Sequence, residues 1–161
     1  MGTKHKILSW NEGRKAVQDW KDNGEEVVFT NGCFDILHLG HVDYLEKSRE
    51  LGTKLVVGVN TDASVRKLKG PERPMNNEQA RTRILAALSF VDAVILFGED
   101  TPFELISAIL PDVLVKGSDY TVENIVGADV VMNNGGTVKT INLVDGYSTT
   151  GLINKIKKNE A

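Results

Sequence analysis

The sequence predicts an α/β fold: one domain on a parallel sheet of about five strands, with helices on both faces. Short apolar runs alternate with segments of 3.6-residue period, and those runs are mostly β-branched and bounded by Gly, Asn, Asp or Lys. A chain of 161 residues suits one compact domain, expected to span 1–161, and 41% hydrophobic residues can fill its core. Asn11 to Trp20, with Ala16, Val17 and Trp20 on one face, predicts a helix within an N-terminal helical cover over 1–24. Strands are expected at Val27 to Thr30, Leu55 to Val59, Ala93 to Phe97, Val113 to Val115 and Val138 to Ile141. Crossover helices are expected through Val42, Leu45 and Leu51, through Ile84, Leu85, Leu88 and Val91, and through Phe103, Ile106 and Leu110. Lys67 to Asn77, containing Pro71 and Pro74, is expected to be a polar surface loop. A closing helix over 148–158 begins at Ser148 and carries Leu152, Ile153 and Ile156, with Lys155, Lys157 and Lys158 at its negative end.

Composition narrows the function. Nineteen Lys and Arg against 22 Asp and Glu give a formal charge of −3, so no general positive field is present to hold a nucleic acid. A single cysteine cannot form an internal disulfide, and no secretory-signal pattern opens the chain; a cytoplasmic location is expected. No window approaches 18 consecutive apolar residues, so membrane insertion is not expected.

In an open α/β sheet, ligands bind beyond the carboxyl ends of the strands. After the first predicted strand the chain reads Thr30, Asn31, Gly32, Cys33, Phe34, Asp35, Ile36, Leu37, His38, Leu39, Gly40, His41. Gly32 frees the exit turn, whose successive amides can form an anion nest, and a helix starting near Gly40 would aim His38 and His41 at one opening. Gly40 between them leaves space for a ligand. A zinc site would have to recruit carboxylates, because the only other histidine is His5 and the only thiol Cys33.

Other residues carry a plain structural role beside a functional one. Arg66, Lys67, Lys69 and Arg73 form either a solvated face or a lid over phosphates. Ser148, Thr149 and Thr150 can cap a helix and also cradle phosphate. Lys116 and Asp119 follow a strand end, as an ion pair or a pocket wall. Asp35 can cap or pair with a cation, or supply one carboxylate to Mg²⁺. Cys33 is most simply a packing residue.

Gly32 to His41 resembles the HxGH signature of the cytidylyltransferase-like nucleotidyltransferase superfamily. Lys69-Gly70, Arg81, Val115 to Tyr120 and Asp145 to Thr150 fall in that superfamily's order, and the likeness spans roughly residues 10 to 158. It implies a Rossmann-like fold. Within the superfamily, Thr30 to His38, Val42 to Leu45, Val115 to Gly117 and Ser148 to Thr150 are most similar to the adenylyltransferases that make ADP-heptose from D-glycero-β-D-manno-heptose 1-phosphate. That branch is often fused to a sugar kinase, and this length implies a standalone form with a separate kinase upstream. The resemblance implies ATP with Mg²⁺, a sugar-phosphate acceptor, a homodimer, and a product for lipopolysaccharide or surface glycan.

Carried onto this chain, the family pattern makes His38, His41 and Lys69 catalytic. Thr30, Asn31, Gly32, Cys33, Phe34, Gly40, Arg81, Lys116, Gly117, Asp119, Tyr147, Ser148, Thr149 and Thr150 become nucleotide- or phosphate-binding. Asp35, Asn60 and Arg73 are assigned to substrate, and Asp35 also to metal. Spacing does not separate Arg81 from Arg83, and Tyr147 replaces the small or basic residue expected before its motif. Glycerol 3-phosphate and phosphoethanolamine cytidylyltransferases, FAD synthetases and a non-catalytic nucleotide-binding regulatory module are the alternatives.

Overall fold

The computed structural model describes residues 2–159; Met1, Glu160 and Ala161, which the expected 1–161 span takes in, lie outside the described residues. Among the described residues six strands form one sheet: β1 (Ile7–Leu8), β2 (Val27–Gly32), β3 (Lys54–Asn60), β4 (Ala93–Phe97), β5 (Val113–Gly117) and β6 (Thr137–Ile141). All neighbours are parallel, in the order β1-β4-β3-β2-β5-β6.

The expected class holds, with one strand more than the sequence suggests. The additional strand is β1, whose two residues pair with Val94 and Ile95 at the sheet edge. A two-residue run is too short to show a period, so the N-terminal cover is not wholly helical. A 3₁₀ turn (Lys4–Lys6) and β1 precede α1 (Trp10–Asp22). Ser9 and Glu12 close a reciprocal capping box at its start.

The remaining helices are α2 (Leu39–Arg49), α3 (Asp62–Lys69), α4 (Glu78–Ala87), α5 (Phe103–Ile109), α6 (Ala128–Asn133) and α7 (Thr149–Asn159). Strand residues alternate between two cores. Val27, Phe29, Val56, Ile95 and Leu114 meet α1, α5 and α6 through Val17, Ile106 and Val131. Val28, Leu55, Val57, Val94 and Val115 meet α2 and α4 through Leu45 and Leu85. Because both faces are covered, the strands read as continuous apolar runs rather than alternating ones.

Several boundaries differ from expectation. Leu51 lies beyond α2, Leu88 and Val91 beyond α4, and Leu110, at φ +48, ends α5. Lys67 to Lys69 belong to α3, capped by Thr61 and stopped at Gly70, so the expected surface loop begins only there. α7 fully buries no residue and leaves Ile156 55% exposed, so it covers the rim rather than closing the core.

Chain order sets the position of the site. From β2 the sheet grows through β3 and β4 on one side, and through β5 and β6 on the other. The reversal lies between β2 and β5, where a doubly wound sheet opens a crevice at its carboxyl edge.

Candidate active site

Beyond β2 the chain turns sharply through Cys33 to Leu37 into α2. Phe34 sits at φ +48, a conformation that costs a non-glycine residue about 1–3 kcal/mol and persists only where its surroundings hold it. Its ring lies 3.0 Å from where a Cβ on Gly32 would stand, and meets His41 edge-on at 5.3 Å between centroids. His38 is the N-cap of α2 with extended backbone, and its side chain does not cap the helix. The two imidazoles stack at 3.8 Å between centroids. A Cβ on Gly40 would approach His38 Cε1 to 2.9 Å and Tyr147 Cβ to 3.3 Å. A side chain at residue 40 would therefore press on His38 and Tyr147 at the cavity edge.

Asn31, His38 and His41 line a cavity of about 780 Å³. Asn31 Oδ1 and the Nδ1 atoms of both histidines are buried with no hydrogen-bond partner. Each such atom costs roughly 1–3 kcal/mol if left unsatisfied, and three residues that carry one stand around the same opening, which marks it as a site for a polar ligand. Burial pushes the His41 pKa down to about 4, the neighbouring His38 lowers it further, and the Ile36 backbone partly opposes both. Burial also lowers that of His38. The pair is thus two neutral imidazoles at a helix N-terminus, each with one N–H to donate.

Cations reach the cavity from several elements. Lys116, at the end of β5, places Nζ 3.4 Å from the Asn31 carbonyl and 5.6 Å from the centre of the Tyr120 ring. Burial lowers its pKa to about 8, opposed by Asp119 and Cys33. Lys69, the exposed last residue of α3, and Arg73 also line the cavity. Gly117, Asp119, Tyr147 and Ser148 to Thr150 also line the cavity, as do Gly32, Cys33, Phe34, Gly40 and Asn60. Ser148 Oγ accepts the Gly151 amide at 2.9 Å and so caps α7, while Thr149 Oγ1 donates to the Ile36 carbonyl at 3.4 Å. Asn60 is buried and donates to Ser64 Oγ; its Oδ1 faces the Cys33 thiol at 3.8 Å. Burial raises the thiol pKa against Lys69, Arg81 and Arg73, which leaves Cys33 an inert packing group.

Two expected ligand contacts, Thr30 and Arg81, are placed outside the cavity wall, and a third, Asp35, is engaged by protein donors. Thr30 is fully buried, donating to the Val115 carbonyl at 3.0 Å and sharing a 2.8 Å hydrogen bond with Tyr44. Arg81 lies beneath the turn rather than in the cavity wall. It is 1% exposed and donates to the Cys33 carbonyl (2.7 Å), the Asn76 carbonyl (3.0 Å) and Asp62 (2.8 Å). Arg83 reaches Thr3. Asp35 borders the cavity, yet its carboxylate accepts the Met75 and Asn76 amides and Arg73 Nε at 2.7–3.0 Å, so both oxygens are engaged. Burial raises its pKa, but those donors outweigh it and hold the carboxyl below its usual value. Among the described residues no cluster of three or more His, Cys, Asp or Glu could hold a metal ion. Asp35 thus latches the 73–76 segment at the cavity edge.

Sequence inspection also missed wall residues. Phe97 ends β4 and Asp100 and Thr101 follow it, and the carboxyl-end rule could have nominated them. Asn124 to Val126 line the cavity from a 3₁₀ turn (Val122–Asn124) and the residues after it, where nothing in composition points to a ligand.

Neutral donors and lysines around a nucleotide-sized opening, with an inert thiol, suit transfer between phosphates without a covalent intermediate. Fold and site together define a nucleotidyltransferase. The cytidylyltransferase-like family matches residues 29–153, and the chain belongs to it. The bifunctional protein HldE of Magnetococcus marinus is 55% identical over 94% of this chain and 31% of its own length. That of Methylobacillus flagellatus is 59% identical over the same shares. The chain therefore spans about a third of the length of these curated relatives. A solved lipopolysaccharide core biosynthesis protein from Thermoplasma volcanium is 33% identical at TM-score 0.61, covering 78% of this chain and 100% of the other. A pantoate-beta-alanine ligase from Francisella tularensis, 12% identical at TM-score 0.58 over 96% of this chain and 78% of its own, shares the fold alone.

Proposed function

We propose that the chain transfers AMP from ATP to D-glycero-β-D-manno-heptose 1-phosphate, giving ADP-heptose and pyrophosphate for lipopolysaccharide or surface-glycan synthesis. The observation that carries it is that Asn31, His38 and His41, each with a buried unpartnered atom, line one cavity at the start of α2. The heptose assignment draws on the motif resemblance, the HldE relatives and the lipopolysaccharide-protein neighbour.

A phosphate oxygen of the sugar attacks the α-phosphorus in line. The bond to the β-phosphate breaks, and its electron pair leaves on pyrophosphate. A phosphate monoester is largely dianionic near pH 7, since its second pKa is about 6, so no general base is needed. His38 and His41 donate to the transferring phosphoryl oxygens, and Lys69 supplies positive charge from the α3 end. The first turn of α7 and the Gly32 turn hold the outer phosphates. Lys116 and Asp119 border the nucleotide, while Asn60 and Arg73 face the acceptor. Asp35 and Arg81 act through the turn they brace. Asp35, at the cavity edge, is the carboxylate that would lie near Mg²⁺ brought by the triphosphate, whose charge would offset that of the leaving pyrophosphate.

The protein is taken as a cytoplasmic homodimer supplied with heptose 1-phosphate by a sugar kinase. Among the described residues no helix is long and apolar enough to cross a membrane.

Pyrophosphate release with Mg²⁺ tests the assignment, with ATP or CTP offered against heptose 1-phosphate, glycerol 3-phosphate, phosphoethanolamine and FMN. Release is expected only with ATP and heptose phosphate. His41→Ala should keep the fold and lose about 10²–10³ in turnover. Release with another pair replaces the substrate, and silence with ATP still bound favours the regulatory module.

A further inference from the structure

The backbone ladder between β2 and β5 joins Val28 to Val113 and Phe29 to Leu114 and goes no further, whereas β2 and β3 stay paired from Val27 through Gly32. At the next two facing positions, side chains bridge the parting strands instead. Thr30 Oγ1 donates to the Val115 carbonyl at 3.0 Å, and Lys116 Nζ donates to the Asn31 carbonyl at 3.4 Å. Thr30 has one hydroxyl proton and a carbonyl only accepts, so that proton is spent on Val115. In the 2.8 Å hydrogen bond between Thr30 Oγ1 and the Tyr44 hydroxyl, Tyr44 is therefore the donor. Thr30 is fully buried and Tyr44 is 8% exposed, so bulk water does not compete for either bond.

This relay joins three elements that carry the site. Tyr44 stands three residues beyond His41 on α2, on the same side of the helix. Thr30 precedes Asn31 on β2, and Val115 precedes Lys116 on β5. Once the ladder has ended, these side-chain bonds are what set the separation of the two strand ends. We propose that Tyr44 is a positioning residue: through Thr30 it fixes the crevice between β2 and β5, and so the placement of His41 relative to Lys116. Its hydroxyl acts on the groups that hold the ligand, and a misplacement of about 1 Å in such groups costs up to about a hundredfold in rate. The effect on turnover rests on the adenylyl transfer proposed for the cavity.

The test uses the full chain. Tyr44→Phe keeps the ring and removes the donated proton, while Thr30→Val keeps the branched shape and removes the hydroxyl. Tyr44→Phe should lower kcat about tenfold with KM for ATP unchanged, the pattern of a loss felt only in the transition state. Added to Thr30→Val it should cost nothing further, because its proton then has no acceptor. Tyr44 borders the cavity, so losses that multiply in the double variant, or a raised KM at parent kcat, would place it on the ligand and overturn the relay. Thr82→Val removes a buried hydroxyl from α4 and sets the pattern of a merely structural loss, a lower melting midpoint with parent kinetics. That same pattern in Tyr44→Phe also overturns the proposal. Reductive methylation of Lys116 by formaldehyde and cyanoborohydride, followed by mass spectrometry, needs no turnover. It should quicken in Tyr44→Phe and not in Thr82→Val, and equal rates in parent and Tyr44→Phe overturn the relay. A parent that makes no ADP-heptose while Lys116 still quickens in Tyr44→Phe would refute the heptose assignment and retain the relay.

Discussion

His41 brings the energetics of the site into one side chain. Its imidazole is stacked on His38, edged by Phe34 and left without a partner for Nδ1, a costly arrangement for a residue that only packs. Its pKa falls from 6.5 to about 4 on folding, chiefly by burial. Between those values the unfolded chain binds the proton that the folded chain refuses, so stability rises with pH through that window. The neutral ring is tolerated above about pH 6.5, and stability is lost as pH drops toward 4. His41→Gln should flatten this loss, seen as a smaller difference between thermal midpoints at pH 7 and pH 5 than in the parent. Equal differences would place the acid sensitivity elsewhere. Asp35 acts in a separate, more acidic window, since its folded pKa lies below 3.8. The sequence disclosed the two histidines and their spacing. It could not disclose that Gly40 is small because His38 and Tyr147 occupy its flank.

At the scale of elements, the turn after β2 is held by charges from distant segments. Asp35 latches residues 73–76, and Arg81 on α4 ties the Cys33 carbonyl to Asp62 on α3. Residue type alone does not say whether an arginine faces phosphate or a carbonyl, and only the fold shows Arg81 on carbonyls. Arg81→Met should destabilise the protein by about 3–5 kcal/mol, because it leaves Asp62 and two carbonyls without their buried donor. Chemical denaturation measures this. A near-normal midpoint with a raised KM for ATP would return Arg81 to direct phosphate binding. The longer strands were legible because covered faces demand unbroken apolar runs, as in Leu55 to Val59. The missed elements, β1 with two residues and α6 with six, are too short to show a period. α3, at eight, reads partly as a loop because Arg66, Lys67 and Lys69 outweigh its two buried residues, Ser64 and Val65.

Across the whole molecule, strand order assembles a site from segments far apart in sequence. The reversal between β2 and β5 brings the 31–41 turn, the end of α3, Lys116 and the start of α7 around one opening. Motif order along the chain anticipated that assembly, although Phe97 to Pro102 and Asn124 to Val126 carried no such mark. The central claim is attack at the α-phosphorus, and the most direct measurement follows two labels of ATP in the presence of heptose 1-phosphate. Phosphorus label at the α position should appear in ADP-heptose, and label at the γ position should leave entirely in pyrophosphate. Label from the γ position found on the sugar, or α label remaining in free ADP, would contradict adenylyl transfer at this site.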